Sequence, residues 1–333
     1  MNESVELPLI EPIYGTYHFQ GSGAAILASN PSIRNWYLNQ IMILFCEQRF
    51  LEGHTSPELN ILYSFWSDNP YLEKYSYSMR FLKGHTGPII RSMLDDGFYV
   101  YFEKVDDYFV EGKGWYHQRH FGHDGLICGY DQTKKTYSIY AYDSNWIYQR
   151  FTTRQKAFHA GQKAMQEQGV YGMIHAIRPG TQEVAFDPAA VYQKLLEYLD
   201  SSLEKYPLGK TPAVHGIAVQ EYLAMYLDRL LDGSVPYPRT DRRIFRLIWE
   251  HKTVMLERIQ KAEATLNLGH TISNQYTHLV ARANAMRMLY ASHLIKRRDS
   301  LLRVIRRDLM WLKNEEQKLL TQFTHQLGGA LQQ

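Results

Sequence analysis

Apolar and polar positions follow two different periods along this chain, and the change divides it near residue 180. From Phe98 the period is that of strands. Tyr99-Val100-Tyr101-Phe102, Gly125-Leu126-Ile127-Cys128 and Tyr137-Ser138-Ile139-Tyr140-Ala141-Tyr142 are aromatic and β-branched runs of strand length. Gly129 to Lys135 reads as a strand end followed by a hairpin turn, and Trp146 to Phe151 predicts a fourth strand. A helix from Thr153 to about Gln168, stopped by Gly169, leads into a fifth strand, Val170 to Ile177. Upstream, Asn30-Pro31-Ser32 predicts a helix start, with Leu38, Ile41, Met42 and Phe45 at helical spacing behind it. Gly53 to Pro70 reads as loop, and Gly87-Pro88 opens a short helix, Ile89 to Leu94, ended by Asp95-Asp96-Gly97.

Beyond Phe186 the apolar residues recur every three or four positions. Helices are predicted from Asp187-Pro188 to about Leu203 and over Val214–Leu231, Asp241–Leu266, Ile272–Leu294 and Asp299–Gln326, the last three long as in a bundle. The expected fold class is therefore α+β: an N-terminal part with an antiparallel sheet (1–180), then an all-helical domain (181–333).

Charge changes this picture more than composition does. The total of +3 excludes a strongly basic nucleic-acid binder on the whole-chain average. Yet Tyr237 to Lys313 holds 16 Lys+Arg against 6 Asp+Glu, a local +10 that leaves about −7 elsewhere. Two cysteines, Cys46 and Cys128, exclude a disulfide framework and an all-thiolate zinc site, and point to a reducing cytoplasm. No secretory leader is expected from the polar, acidic start, and no apolar run has the roughly 18 residues of a membrane span.

The candidate chemistry gathers between His117 and Asp143. His123 begins a strand, Gly129-Tyr130-Asp131 ends it, and Asp143 ends the next strand back, so an antiparallel hairpin brings His123 and Asp143 to one end. A carboxylate there would fix the imidazole tautomer and support an imidazolium, the base and orienter of a nucleophilic triad. The bland alternative is a satisfied structural histidine at a strand start.

Histidine, four strand residues, Gly-Tyr-Asp, a turn and a strand ending in Asp resembles the papain-like cysteine-peptidase fold in its bacteriocin-processing branch. The sequence is similar, more particularly, to the family of butirosin biosynthesis protein H N-terminal domains. Val105-Asp106-Asp107-Tyr108 upstream of His123 agrees with that layout, and the resemblance covers roughly Gly15 to Pro179. It implies a papain-like domain performing carrier-dependent acyl or aminoacyl transfer, or amide formation, in specialised-metabolite biosynthesis, without a cofactor. His123 would be the base and Asp143 its orienter, and the partners an acyl or peptidyl carrier protein and a small-molecule amine. The family's cysteine lies at the N-terminus of the first core helix; with that helix read at Ile33–Phe45, the place falls around Ser32 to Trp36, where no cysteine occurs. Ser32 is either an oxygen nucleophile or a helix N-cap, and Cys46 and Cys128 read as buried structural thiols. The missing nucleophile motivates a second reading, a non-catalytic scaffold that docks a carrier protein.

Three further groups carry alternatives. Asp106, Asp107, Tyr108, His120 and Asp124 cluster near one loop and form either a pocket for a substrate amine or a solvated edge. His117, His120 and His123 are spaced by three, which on a helix would suit a metal-dependent hydrolase, although Gly122 argues for a loop. Lys296-Arg297-Arg298, Arg303 and Arg306-Arg307, read as one helix side, make a docking face at Arg297, Arg298 and Arg306 for an acidic carrier protein, or else a solvated bundle face.

Overall fold

A computed structural model describes residues 2–40, 43–48, 51, 57–62, 69–82, 84–201, 213–235 and 240–332. The fold class is α+β, an antiparallel sheet with a helical C-terminal region. The chain divides into two compact units, residues 1–34 with 64–184, and residues 35–63 with 185–333.

The first unit is built on a seven-stranded sheet. Its path runs β4 (Leu72–Ser78), β9 (Met173–Pro179), β5 (Tyr99–Asp106), β6 (Gly122–Asp131), β7 (Thr136–Tyr142) and β8 (Tyr148–Arg154), while β1 (Ser4–Glu6) pairs with β6. All pairings are antiparallel, with Val100 opposite Ile127 and Leu126 opposite Tyr140. On one face, Val100, Phe102, Ile127, Ile139 and Ile174 bury their side chains with Ile90 and Leu94 of α3 (Thr86–Asp95) and Phe158 of α4 (Gln155–Glu167). The alternate residues Tyr99, Tyr101, Leu126, Cys128 and Tyr140 are buried as well, so strands β5 to β7 are apolar on both sides, as covered strands are.

The helix α1 (His18–Ala28) packs beside β6 and β7. Nine of its eleven residues are buried, among them Gly21, Ser22, Gly23, Ala24 and Ala25. Gly21 is required: a Cβ there would meet the Tyr148 ring at 2.6 Å. Further bonds moor the helix to the sheet, from the Tyr142 hydroxyl to the Gly15 carbonyl (2.6 Å) and between Ser22 Oγ and Tyr148 Oη (3.1 Å).

This corrects the sequence reading. The expected run Ile33–Phe45 is α2 (Pro31–Gln40) followed by strand β2 (Leu44–Glu47), with Ile41 and Met42 outside the described residues. The Ser32 side chain and most of the expected loop Gly53–Pro70 also lie outside them.

The second unit is not wholly helical. A three-stranded antiparallel sheet, β10 (Ala213–His215), β2 and β3 (Leu59–Ile61), belongs to it, drawing residues 35–63 away from the N-terminal part. Its helices are α5 (Pro188–Asp200), α6 (Val219–Leu231), α7 (Ile244–Leu266), α8 (Thr271–Lys296) and α9 (Asp299–Leu331). Asp187 caps α5 by accepting from the N–H groups of Ala189 and Ala190, with Pro188 in the first turn. Asn267 and Arg297, both left-handed, end α7 and α8 and fold the long helices back on one another. Among the described residues no helix is long and apolar enough to cross a membrane.

Candidate active site

The antiparallel pairing of β5 and β6 sets Asp106 opposite Gly122 and Val105 opposite His123. The residue after β5 is therefore delivered beside the start of β6. That residue is Asp107, and its Oδ2 lies 2.9 Å from His123 Nδ1. Asp107 is buried, and its other oxygen faces the buried ammonium of Lys113 at 3.6 Å. Lys113 also donates to the Asp124 carbonyl at 3.2 Å, tying the loop after β5 to the first residues of β6.

A second pair stands against the first. His18, the first residue of α1, places Nδ1 2.6 Å from Asp124 Oδ1, and Asp124 Oδ2 accepts the Tyr101 hydroxyl. The His18 and His123 rings lie 4.4 Å apart, and His123 Nε2 is 3.7 Å from Asp124 Oδ1. His18 is 3% exposed, whereas His123 and Asp124 keep 24% and 20% of their side-chain surface.

The backbone fixes the tautomer of His18. The N–H of Tyr142 donates to His18 Nε2 at 2.9 Å, so Nε2 carries a lone pair and Nδ1 carries the proton given to Asp124. Burial drives the imidazole down to about 4, outweighing the opposing pull of Asp124, so His18 is neutral at pH 7. Burial alone would raise Asp124; the facing His18 and the hydrogen bonds from His18 and Tyr101 outweigh it and hold the carboxyl well below its usual range. The N-terminal end of α1 adds its positive dipole, which favours the anion and opposes a protonated His18.

His18, His123 and Asp124 bring their ligand atoms within 4.8 Å of one another, the spacing a metal ion needs. The Tyr142 amide argues against that use. Ligation through His18 Nδ1 would require a deprotonated Nδ1 while Nε2 still faces an N–H donor, which only an imidazolate satisfies. The arrangement suits proton transfer better, with His123 as its partly exposed base.

Asp143 does not orient His123. The β6–β7 register does run it toward the His123 end of the hairpin, but its carboxylate is taken up locally. Oδ1 accepts the N–H groups of Asn145 and Ile147, both at 2.8 Å, and Oδ2 accepts the Gln149 amide at 2.6 Å. This Asx-type turn holds Trp146 at φ 59° and leaves its side chain 52% exposed.

The histidines expected as a metal cluster have separate partners, because the chain from 110 to 121 runs through turns and not an α-helix. His117 sits at φ 53°, stacked on Tyr116 at 4.0 Å; His120 bonds Asp106 Oδ2 at 2.7 Å and stacks on Tyr108 at 4.3 Å. Asp106, wholly buried, is saturated by His120 and by the N–H groups of Tyr108 and Phe121, so it clamps the loop and is closed to substrate. Of the carboxylates expected to meet an amine, Asp124 alone keeps an exposed edge beside His123; Asp107 lies behind the imidazole.

Neither cysteine is an activated thiol. Cys46 lies in β2 and Cys128 in β6, and burial pushes each up to about 12. The helix N-terminus that faces His123 belongs to α1, and the residue there is His18.

In the second unit the basic residues do not share a helix side. Lys296 ends α8, Arg297 and Arg298 form the corner, and Arg303, Arg306 and Arg307 follow on α9. The reason is the left-handed conformation of Arg297, whose N–H caps the His293 carbonyl. Arg306 is paired with Asp228 at 2.6 Å and Arg307 with Asp308 at 3.1 Å, so part of the basic surface is neutralised within the unit.

Comparison with protein-family models and with curated protein sequences finds no match to this chain.

Proposed function

We propose that the N-terminal unit is a relative of the papain-like acyl-transfer domains, similar to those of the butirosin protein H family but without a nucleophilic cysteine, and that it transfers an acyl group by a single displacement. His123 takes a proton from an amine as the amine attacks the carbonyl of a carrier-bound thioester. The C–N bond forms, the C–S bond breaks, and the imidazolium returns its proton to the departing thiolate. The observation that carries this reading is the 2.9 Å contact between His123 Nδ1 and buried Asp107, which commits Nδ1 and leaves Nε2 as the lone-pair atom. Asp124 beside Nε2 supports the imidazolium, and its exposed edge can hold the incoming ammonium before deprotonation.

The test is amide formation from acyl thioesters of N-acetylcysteamine and of a phosphopantetheinylated carrier protein, with a panel of primary amines. Replacing His123 by Ala lowers the rate by roughly 10²–10⁴-fold, the usual contribution of a positioned base, and Asp107→Asn lowers it as well. Intact-mass measurement during turnover detects no acyl-enzyme. An undiminished rate in folded His123→Ala overturns the reading.

One observation favours a non-catalytic role instead: the place facing His123 is filled by a histidine whose two nitrogens are both engaged. On that reading the same assay yields no amide with any thioester, while the carrier protein still binds and charge reversal at Arg297, Arg298 and Arg306 weakens it.

A further inference from the structure

The segment from the end of β5 to the start of β6 carries four carboxylates from Asp106 to Asp124, and each is matched. Asp106 meets His120, Asp107 meets His123 and Lys113, Glu111 meets Arg154, and Asp124 meets His18. Two permanent cations lie in the same stretch. Lys113 is consumed by Asp107. Arg119 is exposed and, among the described residues, its guanidinium has neither an ion pair nor a hydrogen bond.

Its position is nevertheless built. The Arg119 Cζ stands 5.6 Å from the centre of the Trp115 ring and 5.9 Å from that of Phe121. Trp115 is braced edge-on by Trp146 at 5.5 Å, and Gly114 leaves room for that indole, since a Cβ there would approach it at 3.0 Å. Trp146 is in turn presented by the turn that Asp143 closes. Two aromatic rings thus hold the cationic head while using none of its five N–H donors. Phe121 also packs edge-on against His123, with ring centres 5.2 Å apart. The unspent guanidinium is one ring away from the base.

We propose that Arg119 binds a carboxylate carried by the substrate of the His123 site. A planar fork held without its own counter-ion matches a carboxylate in two parallel hydrogen bonds. The two steps through Phe121, 5.9 and 5.2 Å, keep the guanidinium within about 11 Å of the imidazole, a span that a carboxylate and a reacting amine or acyl carbon on one small molecule can bridge. The phosphate of a pantetheine arm lies many bonds from its thioester and does not suit that separation. The inference rests on the proposed acyl-transfer site for its substrate, and adds that the acceptor or the acyl group is an amino acid, a dicarboxylic acid or a molecule of that kind.

The experiment titrates the full chain with N-acetylglycine, N-acetylglycinamide and inorganic phosphate, following tryptophan emission, with Trp115→Phe identifying the reporter. Saturable binding of N-acetylglycine but not of the amide is expected, weakened about tenfold or more in Arg119→Gln and severalfold in Arg119→Lys, which keeps the charge and loses the fork. In the transfer assay Arg119→Gln raises KM for amines bearing a carboxylate and leaves KM for their amide-capped forms unchanged. Equal binding of acid and amide, wild-type affinity in Arg119→Gln, or binding of phosphate alone overturns the proposal. If no thioester is aminolysed yet N-acetylglycine binds through Arg119, the acyl-transfer reading falls and this one stands. If transfer proceeds and Arg119→Gln changes nothing, the reverse holds.

Discussion

The buried neutral imidazole of His18 makes the stability of the first unit depend on pH in a defined window. In the unfolded chain a histidine titrates near 6.5, and in the folded unit burial pushes His18 down to about 4. Between those values the unfolded state binds the proton that the folded state refuses, so stability falls as pH falls. Integrating the proton difference over the shift gives a loss of about 2 kcal/mol by pH 5 and about 3 kcal/mol by pH 4, relative to pH 7. Asp124 adds almost nothing down to pH 5 and begins to add to the loss only near pH 4, because a depressed carboxyl costs stability as pH drops through its unfolded value near 4. Burial also holds His159 and His215 down, so the total slope of the protein is steeper than the share of His18. The measurement is therefore a difference: urea unfolding of wild type and His18→Gln at pH 7, 6, 5 and 4, where the amide can still accept from Tyr142 and donate to Asp124. The variant is less stable at pH 7, and its deficit shrinks by about 2 kcal/mol at pH 5. A deficit that stays constant across the series shows that His18 titrates as an exposed histidine and refutes the account.

Two further outcomes follow from packing. In the helical unit, fully buried Glu316 accepts from Lys252 and Gln220 at 2.6 Å, from Tyr276 at 2.5 Å and from Tyr198 at 3.1 Å. Lys252→Met strands that carboxylate and is expected to cost about 3–5 kcal/mol, while Lys252→Met with Glu316→Leu costs clearly less than the two single changes added; strict additivity in urea melts argues that the pair is not coupled. In the first unit, Gly21→Ala drives a methyl into the Tyr148 ring and is expected to cost about 1–3 kcal/mol, with a lower thermal midpoint. An unchanged midpoint means the helix is not clamped there.

How much of this was readable in the chain depended on whether a local signal had a rival. Strands β5 to β9 and helices α5 to α9 announce themselves through aromatic and β-branched runs or three- and four-residue spacings, although the helix expected from Val214 starts only at Val219, the residues before it forming strand β10. Helix α1 has no such signal. Gly21, Ser22, Gly23, Ala24 and Ala25 are buried on every side, so no polar face marks a period, and two glycines weaken the propensity by about 1 kcal/mol each. The polar-looking small-residue run was itself the clue, because a helix that tight suits only a covered position. Missing α1 meant missing His18 and shifting the expected nucleophile position to Ser32. His123 was legible from its place at a strand start, but its partner was not. Asp143 and Asp107 both end strands next to β6, and the choice rests on a local competition: Asp143 precedes Ser144-Asn145 and closes its own turn, whereas Asp107 leaves β5 with its side chain uncommitted. The break between α8 and α9 was bracketed by the expected helix bounds, Leu294 and Asp299, but the left-handed conformation that turns the chain falls on Arg297, a residue type that does not advertise it.

The charges at the centre of the first unit explain why two histidines in contact have different capacities. Two carboxylates, Asp107 and Asp124, and the ammonium group of Lys113 surround the two imidazoles. His18 is unsuited to act as a base, because the Tyr142 N–H donates to Nε2, Nδ1 already donates its proton to Asp124, and the positive end of α1 opposes a cation. His123 is placed differently, with its Nε2 facing the 20%-exposed edge of Asp124 and its Nδ1 backed by Asp107, as the proposed base requires. The two histidines in contact are therefore unequal: both nitrogens of His18 are engaged, and His123 keeps Nε2 on the exposed side. On the proposed reading such a site deprotonates an incoming nucleophile and returns the proton to a leaving group, and among the described residues no activated thiol stands beside it to form a covalent intermediate. That asymmetry is the physical reason the single-displacement route fits these residues better than the covalent chemistry the fold resemblance would otherwise suggest.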